Sequence, residues 1–222
     1  MIQHINETRD VNIVTIEDPI EYAFKPAKAI ISQRELNVDV PDYHEALKAI
    51  VRQDPDVIFI GEMRDRFTMQ AALQAAETGH LVFGSLHCPD ATQAFSRILE
   101  FFPMEQHDFV RSSLASSMVA ICAQRLLPAI DEKILRVPAC EVLLTNGTVR
   151  DKIRRGEDEA LPEIIATSVE VGMPSFNYSL VELVNNELVY RDTAMEFAPN
   201  RDQLAATLRG IGTSGGGLIG RR

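Results

Sequence analysis

The residues of this sequence best placed to do chemistry are acids at the ends of apolar runs. Val57, Ile58, Phe59 and Ile60 are consecutive apolar residues, mostly β-branched or aromatic, with Pro55 before them and Gly61 after. That is the pattern of a strand buried on both faces of a parallel sheet. Glu62 follows at the carboxyl end, where open α/β sheets bind their ligands, with Arg64 and Asp65 close behind. A carboxylate in that place can hold a water on a metal-phosphate complex, which is the physical content of a Walker B element. The plainer alternative is an α/β strand that ends in an acid without any catalytic role.

A second apolar run ends the same way. Residues 11–16 (V-N-I-V-T-I) read as a short strand, and Glu17, Asp18 and Glu21 follow it around a turn that Pro19 fixes. Alone, these acids would be a solvated turn. If Ile16 and Ile60 lie side by side in a parallel sheet, the acids converge on one site, where Glu21 can act as general base on a water while Glu62 holds the metal-bound water. His80 and His87 bracket a third expected strand, residues 80–86. Seven residues apart on an even strand, they point to opposite faces, which argues against one shared metal. His87 falls at the carboxyl end, the place for a sensor of a terminal phosphate, and Arg97 follows one helical segment later. Arg34 and Arg52 read as surface charge, or as guanidinium fingers reaching a neighbouring subunit's nucleotide.

The elements that must position these groups are legible in outline. Residues 2–9 read as the end of a helix, 29–35 as a strand, 41–53 as a helix with Tyr43, Leu47, Ile50 and Val51 at helical spacing, and 66–78 as an amphipathic helix. Residues 106–127 are expected to form a long helix, with Val110, Leu114, Met118, Ile121 and Cys122 on one core-facing stripe. Residues 133–144 suggest a hairpin or paired strands, with Pro138 at an edge or bulge. From Gly147 onward short helices are broken by Gly156, Pro162, Gly172, Pro174 and Pro199. Arg150, Lys152, Arg154 and Arg155 cluster on the first of these, as a solvated face or a coupling surface. The expected organisation is therefore an α/β core over residues 1–145, a small helical portion over 146–209 and a Gly-rich flexible tail over 210–222.

Composition narrows the classes. The chain has 222 residues, 24% of them charged, and a formal charge of −10, which argues against a general nucleic-acid binder. No long apolar run or signal peptide is visible, so a cytoplasmic protein without a transmembrane segment is expected. The cysteines, Cys88, Cys122 and Cys140, are three and widely spaced, as for reduced, mostly buried thiols.

Taken together, T-I-E-D-P-I-E-Y at 15–22, S-Q-R-E at 32–35, A-L-K-A-I-V-R-Q-D-P-D-V-I-F-I-G-E-M-R-D at 46–65 and A-A-E-T-G-H-L-V-F-G-S-L-H at 75–87 resemble the Asp box, Walker B element and His box of the type II/IV secretion ATPases. The likeness is greatest to the PilT-type retraction branch of type IV pili, and it covers residues 1–210. The resemblance implies a RecA-like P-loop ATPase core, mainly a parallel sheet flanked by helices, and a homo-hexameric ring that uses ATP and Mg²⁺. It also implies an inner-membrane pilus platform protein as partner, and hence a position at the inner membrane through the pilus machinery. By position, Glu21 matches the proposed catalytic base with Glu17 in support. Glu62 matches the Walker B glutamate, His80 and His87 the His-box histidines, and Arg97 the arginine after that box. The secretion and assembly branches often carry a four-cysteine zinc module that three scattered cysteines cannot supply, which favours the retraction branch.

Two departures stand out. Cys88 occupies the place of the usual Thr after the His box, and no G-x-x-x-x-G-K-[ST] occurs in the 222 residues. Without that loop there is no backbone cradle and no lysine for the phosphates, so the expectation is a truncated motor unable to bind ATP efficiently alone. The strand leading into the loop would be missing too, leaving two neighbouring strands with unpaired edges. The alternatives are a nucleotide-incompetent interaction module that joins or regulates such a ring and, less well supported, a metallohydrolase using the two histidines and the carboxylates.

Overall fold

The computed structural model describes residues 1–210. Except for Gly210, the expected tail over 210–222 lies outside the described residues. The elements are α1 (Ile2–Thr8), β1 (Asn12–Glu17), β2 (Ile30–Glu35), α2 (Tyr43–Ile50), β3 (Val57–Ile60), α3 (Arg66–Glu77), β4 (Leu81–Gly84), α4 (Gln93–Leu99), α5 (His107–Ser117), β5 (Ala120–Pro128), β6 (Arg136–Leu144), α6 (Gly147–Arg155), α7 (Leu161–Ala166), α8 (Phe176–Asn185), α9 (Arg191–Phe197) and α10 (Arg201–Leu208). They form two compact units. One comprises Met1–His87 and Ser96–Met118, the other Cys88–Phe95 and the described residues from Val119 onward.

The first unit is built on a wholly parallel sheet in the order β2-β1-β3-β4. Val14, Ile16, Ile58 and Ile60 point to one face, where Ala46, Leu47 and Ile50 of α2 and Ala72 and Ala75 of α3 close over them. Ile13 and Val57 point to the other, against Ile2 and Ile5 of α1 and Ala29. Burial on both faces is what a continuous apolar strand requires, and it explains why the run at 57–60 shows no polar alternation. Asp42 and Asp65 cap α2 and α3 by accepting from the backbone N–H groups of Glu45 (2.8 Å) and Thr68 (2.9 Å). Asp65, adjacent to Arg64 in the sequence, is thus a helix cap. Among the described residues β4 bonds only to β3, so β4 is an edge strand of this sheet.

The second unit corrects the expected helix over 106–127. Helix α5 stops at Ser117, Met118 is extended (φ −67°, ψ 133°), and β5 begins at Ala120. The end is locally encoded: Ser116 and Ser117 turn their hydroxyls onto the carbonyls of Ser112 and Ser113 within the last turn, a competition that weakens helices. Beyond it, Ala123 and Leu127 alternate with exposed residues at period two, and the nine-residue antiparallel ladder with β6 settles the segment as strand. The partner of the strand expected within 133–144 therefore lies upstream, at 120–128. Pro138 sits in a ribbon in which both strands are edges, which tolerates its missing N–H. Ala123, Leu127, Val137 and Ala139 form a core with Phe176 and Leu180 of α8, Ala194 of α9 and Leu204 of α10. Cys122, expected in a buried stripe, is exposed on the opposite face of the ribbon, while Cys88 and Cys140 are half-buried; none of the three forms a disulfide among the described residues.

Candidate functional site

The parallel register sets Ile16 directly beside Ile60, so the acids following both strands leave the same end of the sheet. Gly61 makes the close approach possible. Its N–H donates to the Ile16 carbonyl at 2.7 Å, and a Cβ on it would lie 3.1 Å from both that oxygen and the Glu17 Cα. Ser85, just past β4, ties the third strand in: its hydroxyl donates to the Gly61 carbonyl, and its own carbonyl accepts from the Met63 N–H at 3.0 Å. His87, two residues on, is thereby brought to Glu62.

Glu62 is the centre of the resulting cluster. Its side chain is 19% exposed; one oxygen takes the His87 Nε2 at 3.1 Å, and the other takes the Arg64 guanidinium through Nε and Nη2. Arg64 also reaches Asp18 at 3.6 Å. The hydrogen bond from Arg64 is the largest cause holding the Glu62 carboxyl below its ordinary range; the Arg64 charge and His87 add to it, against the opposing effect of partial burial. The same contact raises the Arg64 guanidinium. The site is therefore an ionised carboxylate gripped by an exposed guanidinium and an imidazole at the carboxyl end of a parallel sheet. Among the described residues no three His, Cys, Asp or Glu side chains converge to hold a metal directly, so the metallohydrolase alternative finds no donor set. The arrangement suits a cation carried in mainly by phosphate and water.

The other expected site residues are placed less uniformly. Glu17 is buried and accepts from Thr15 Oγ1 at 2.6 Å and Gln33 Nε2 at 3.0 Å, so it ties β1 to β2. Glu21 is exposed in the loop between β1 and β2, and none of the described contacts of Glu62 involves it. His80 lies just before β4, at the end of the sheet opposite to His87, and its Nδ1 is taken by the Ala75 carbonyl (2.9 Å) and Thr78 Oγ1 (3.1 Å). Because β4 spans only Leu81–Gly84, both histidines fall outside the strand, and the alternation expected for 80–86 does not apply to them. Arg97 pairs with Glu100 at 2.6 Å and stacks over Phe101, Arg34 donates to Gln53 at 2.5 Å, and Arg52 is exposed after α2.

Sequence reasoning passed over the side chains that shape the acid loop. Gln33 accepts from the Phe24 N–H at 2.8 Å and donates to the Tyr22 carbonyl at 2.9 Å, while Glu35 accepts from the Ile20 N–H at 3.0 Å. Gln33 and Glu35 alternate on β2 opposite the acid loop, a two-residue spacing that could have marked them. Asp18 gave no sign beyond belonging to an acidic turn.

A family model described as type II/IV secretion system protein matches residues 1–167. The chain belongs to that family. It is 40% identical over 205 residues to a twitching motility protein of Neisseria gonorrhoeae, an alignment covering 92% of this chain and 54% of the relative. To the type IV pilus retraction ATPase PilT of Pseudomonas aeruginosa it is 38% identical over 198 residues, covering 89% of this chain and 57% of that one. The crystal structure of a pilus retraction motor, PilT with bound ADP, superposes with a TM-score of 0.82 at 43% identity, over 92% of this chain and 57% of that chain. The family likeness thus carries the RecA-like reading of the sheet, with helices following it. The chain spans about half the length of the curated relatives it matches.

Proposed function

We propose that this chain is part of a motor ATPase subunit of the retraction type, coupling ATP hydrolysis to withdrawal of a type IV pilus. The observation that carries the reading is the alignment of Ile16 with Ile60, which aims two acid-bearing strand ends at one place where Glu62 is held by Arg64 and His87. Mg-ATP, when bound, supplies the phosphoryl group and the hard cation; this chain supplies the groups around them. With Mg-ATP in place, Glu62 would be the carboxylate that positions water at the cation, and His87, bonded to the same carboxylate, would be the imidazole that meets a terminal phosphate. Glu21, on its exposed loop, comes in as general base toward the attacking water, and Glu17 stiffens the strand from which the loop departs. Arg97, Arg34 and Arg52 lie outside this cluster and act across a subunit boundary in a homo-hexameric ring, while His80 anchors the turn from α3 into β4.

Residues 1–145 serve as the partial ATPase core and 146–209 as the helical portion toward the inner-membrane pilus platform. The protein works in the cytoplasm at that membrane, without nucleic acid; among the described residues no helix is long and apolar enough to cross a membrane. One observation favours a second reading, a nucleotide-incompetent module that joins or regulates such a ring: no G-x-x-x-x-G-K-[ST] stands in the 222 residues.

The deciding measurement is the steady-state ATPase rate of the chain beside that of a version extended through the upstream reading frame, each with a Glu62→Gln counterpart. An active extension silenced by the substitution, roughly 100-fold or more as for loss of an essential positioning or acid-base group, supports the motor. An inactive extension, or the lack of such a frame, transfers the case to the interaction module.

A further inference from the structure

Tyr43 opens α2 directly after its cap, and its hydroxyl is buried with no acceptor for its proton, the Glu62 backbone N–H lying on its oxygen. That oxygen stands 3.4 Å from where a Cβ on Gly61 would sit, at the closest approach of the β1 and β3 ends. Buried hydroxyls are nearly always bonded, and one left open beside a charged cluster is a donor awaiting an acceptor. Burial, and next to it the negative charge of Asp18, push the Tyr43 phenol above its ordinary value, so it keeps its proton. Asp18, whose charge acts on this phenol, is itself paired with Arg64 at 3.6 Å, and Arg64, whose side chain is 58% exposed, holds Glu62 as well.

An exposed guanidinium shared between two carboxylates is the group of this cluster most suited to turn toward phosphate oxygens. When it does, Asp18 loses its cation while the Tyr43 hydroxyl is still unmatched. We propose that Tyr43 is a positioning residue whose hydroxyl takes the Asp18 carboxylate when Arg64 leaves it for a phosphate-type anion. The new bond holds the turn carrying Asp18 against Gly61 during the exchange, so that the loop to Glu21 does not drift as Arg64 moves. The purpose of this exchange rests on the phosphate-handling reading above; the pairing itself does not.

The test mimics the departure of Arg64 in the chain as it stands, without nucleotide. Tyr43→Phe in the unaltered protein removes a hydroxyl whose proton has no acceptor and should change the thermal midpoint little. In an Arg64→Gln background the same substitution should lower the midpoint by about 2–4 °C, and adding Asp18→Ala should abolish that difference. Arg64→Lys, which keeps a cation for Asp18, should behave as the unaltered chain. The ¹³Cζ resonance of Tyr43 gives a reading independent of stability: it should move in Arg64→Gln and return when Asp18→Ala is added. An equal effect of Tyr43→Phe in both backgrounds, or an unmoved resonance, overturns the proposal. Because no ATP enters, the pairing can fail while the ATPase comparison succeeds, and the reverse.

Discussion

Two carboxylates, one in each unit, show how differently the same group is used. Glu62, past the end of β3, is held by two side chains, the Arg64 guanidinium and the His87 imidazole, with side-chain exposures of 58% and 84%. Glu141, midway along β6, faces backbone: one oxygen accepts from the Ala91 N–H at 3.1 Å and the other from the Phe176 N–H at 3.5 Å. A backbone donor cannot turn away, so Glu141 is a fixed clamp between the ribbon, the start of α8 and residue 91. An exposed guanidinium can turn away, so the grip on Glu62 is exchangeable. What separates the two carboxylates is the mobility of their partners rather than their own burial.

The comparison extends to the strands that carry these acids, and there the largest effect is expected. Ile58 is fully buried between α2 and α3, so Ile58→Ala should cost about 2–5 kcal/mol in chemical denaturation. Leu126 on the ribbon is 52% exposed, and Leu126→Ala should change stability by about 0.5 kcal/mol or less. A large loss at Leu126 would mean that its face of the ribbon is covered in solution.

The same contrast explains what the sequence revealed. The parallel strands were legible because burial on both faces leaves uninterrupted apolar runs, and the acids after Ile16 and Ile60 mark the carboxyl ends without ambiguity. The ribbon was not: Ile121 and Cys122 continue a helical stripe begun by Val110 and Leu114, and only pairing with the distant residues 136–144 decides for strand. Glu62 and His87, both expected at the carboxyl end of the sheet, meet there because strand order brings Ser85 beside Gly61. The strand expected over 80–86 is shorter than its apolar run, which leaves His80 outside it, and Tyr43 was hidden as one more apolar position of α2. Gln33 and Glu35 escaped notice because their partners are backbone groups of a loop, which leave no pattern in residue types.

A middle-sized effect sharpens the difference between the two acids. Glu141→Ala strips two backbone N–H groups of their acceptor and should destabilise the chain by about 1–3 kcal/mol. Glu62→Gln leaves exposed partners that water can satisfy, and its stability cost should stay near or below about 1 kcal/mol even though it removes the centre of the site. Paired denaturation curves check this ordering. If Glu62→Gln proved the more costly, the exchangeable grip described above would be a structural one.

The smallest effect is the most specific. Since Arg64 holds the Glu62 carboxyl below its ordinary range in the folded chain, folding favours the ionised form. The associated stability is fully present above the unfolded carboxyl value of about 4.3 and is lost as pH falls through the lower folded value. Followed by the ¹³Cδ shift of Glu62, the titration should lie below that of an unperturbed glutamate and move back up in Arg64→Gln, because the guanidinium hydrogen bond is the largest cause of the shift. His87→Ala should move it less, since the imidazole contributes after Arg64. A Glu62 titration indifferent to Arg64 would remove the guanidinium from the cluster and with it the exchange on which the contrast between the two acids depends.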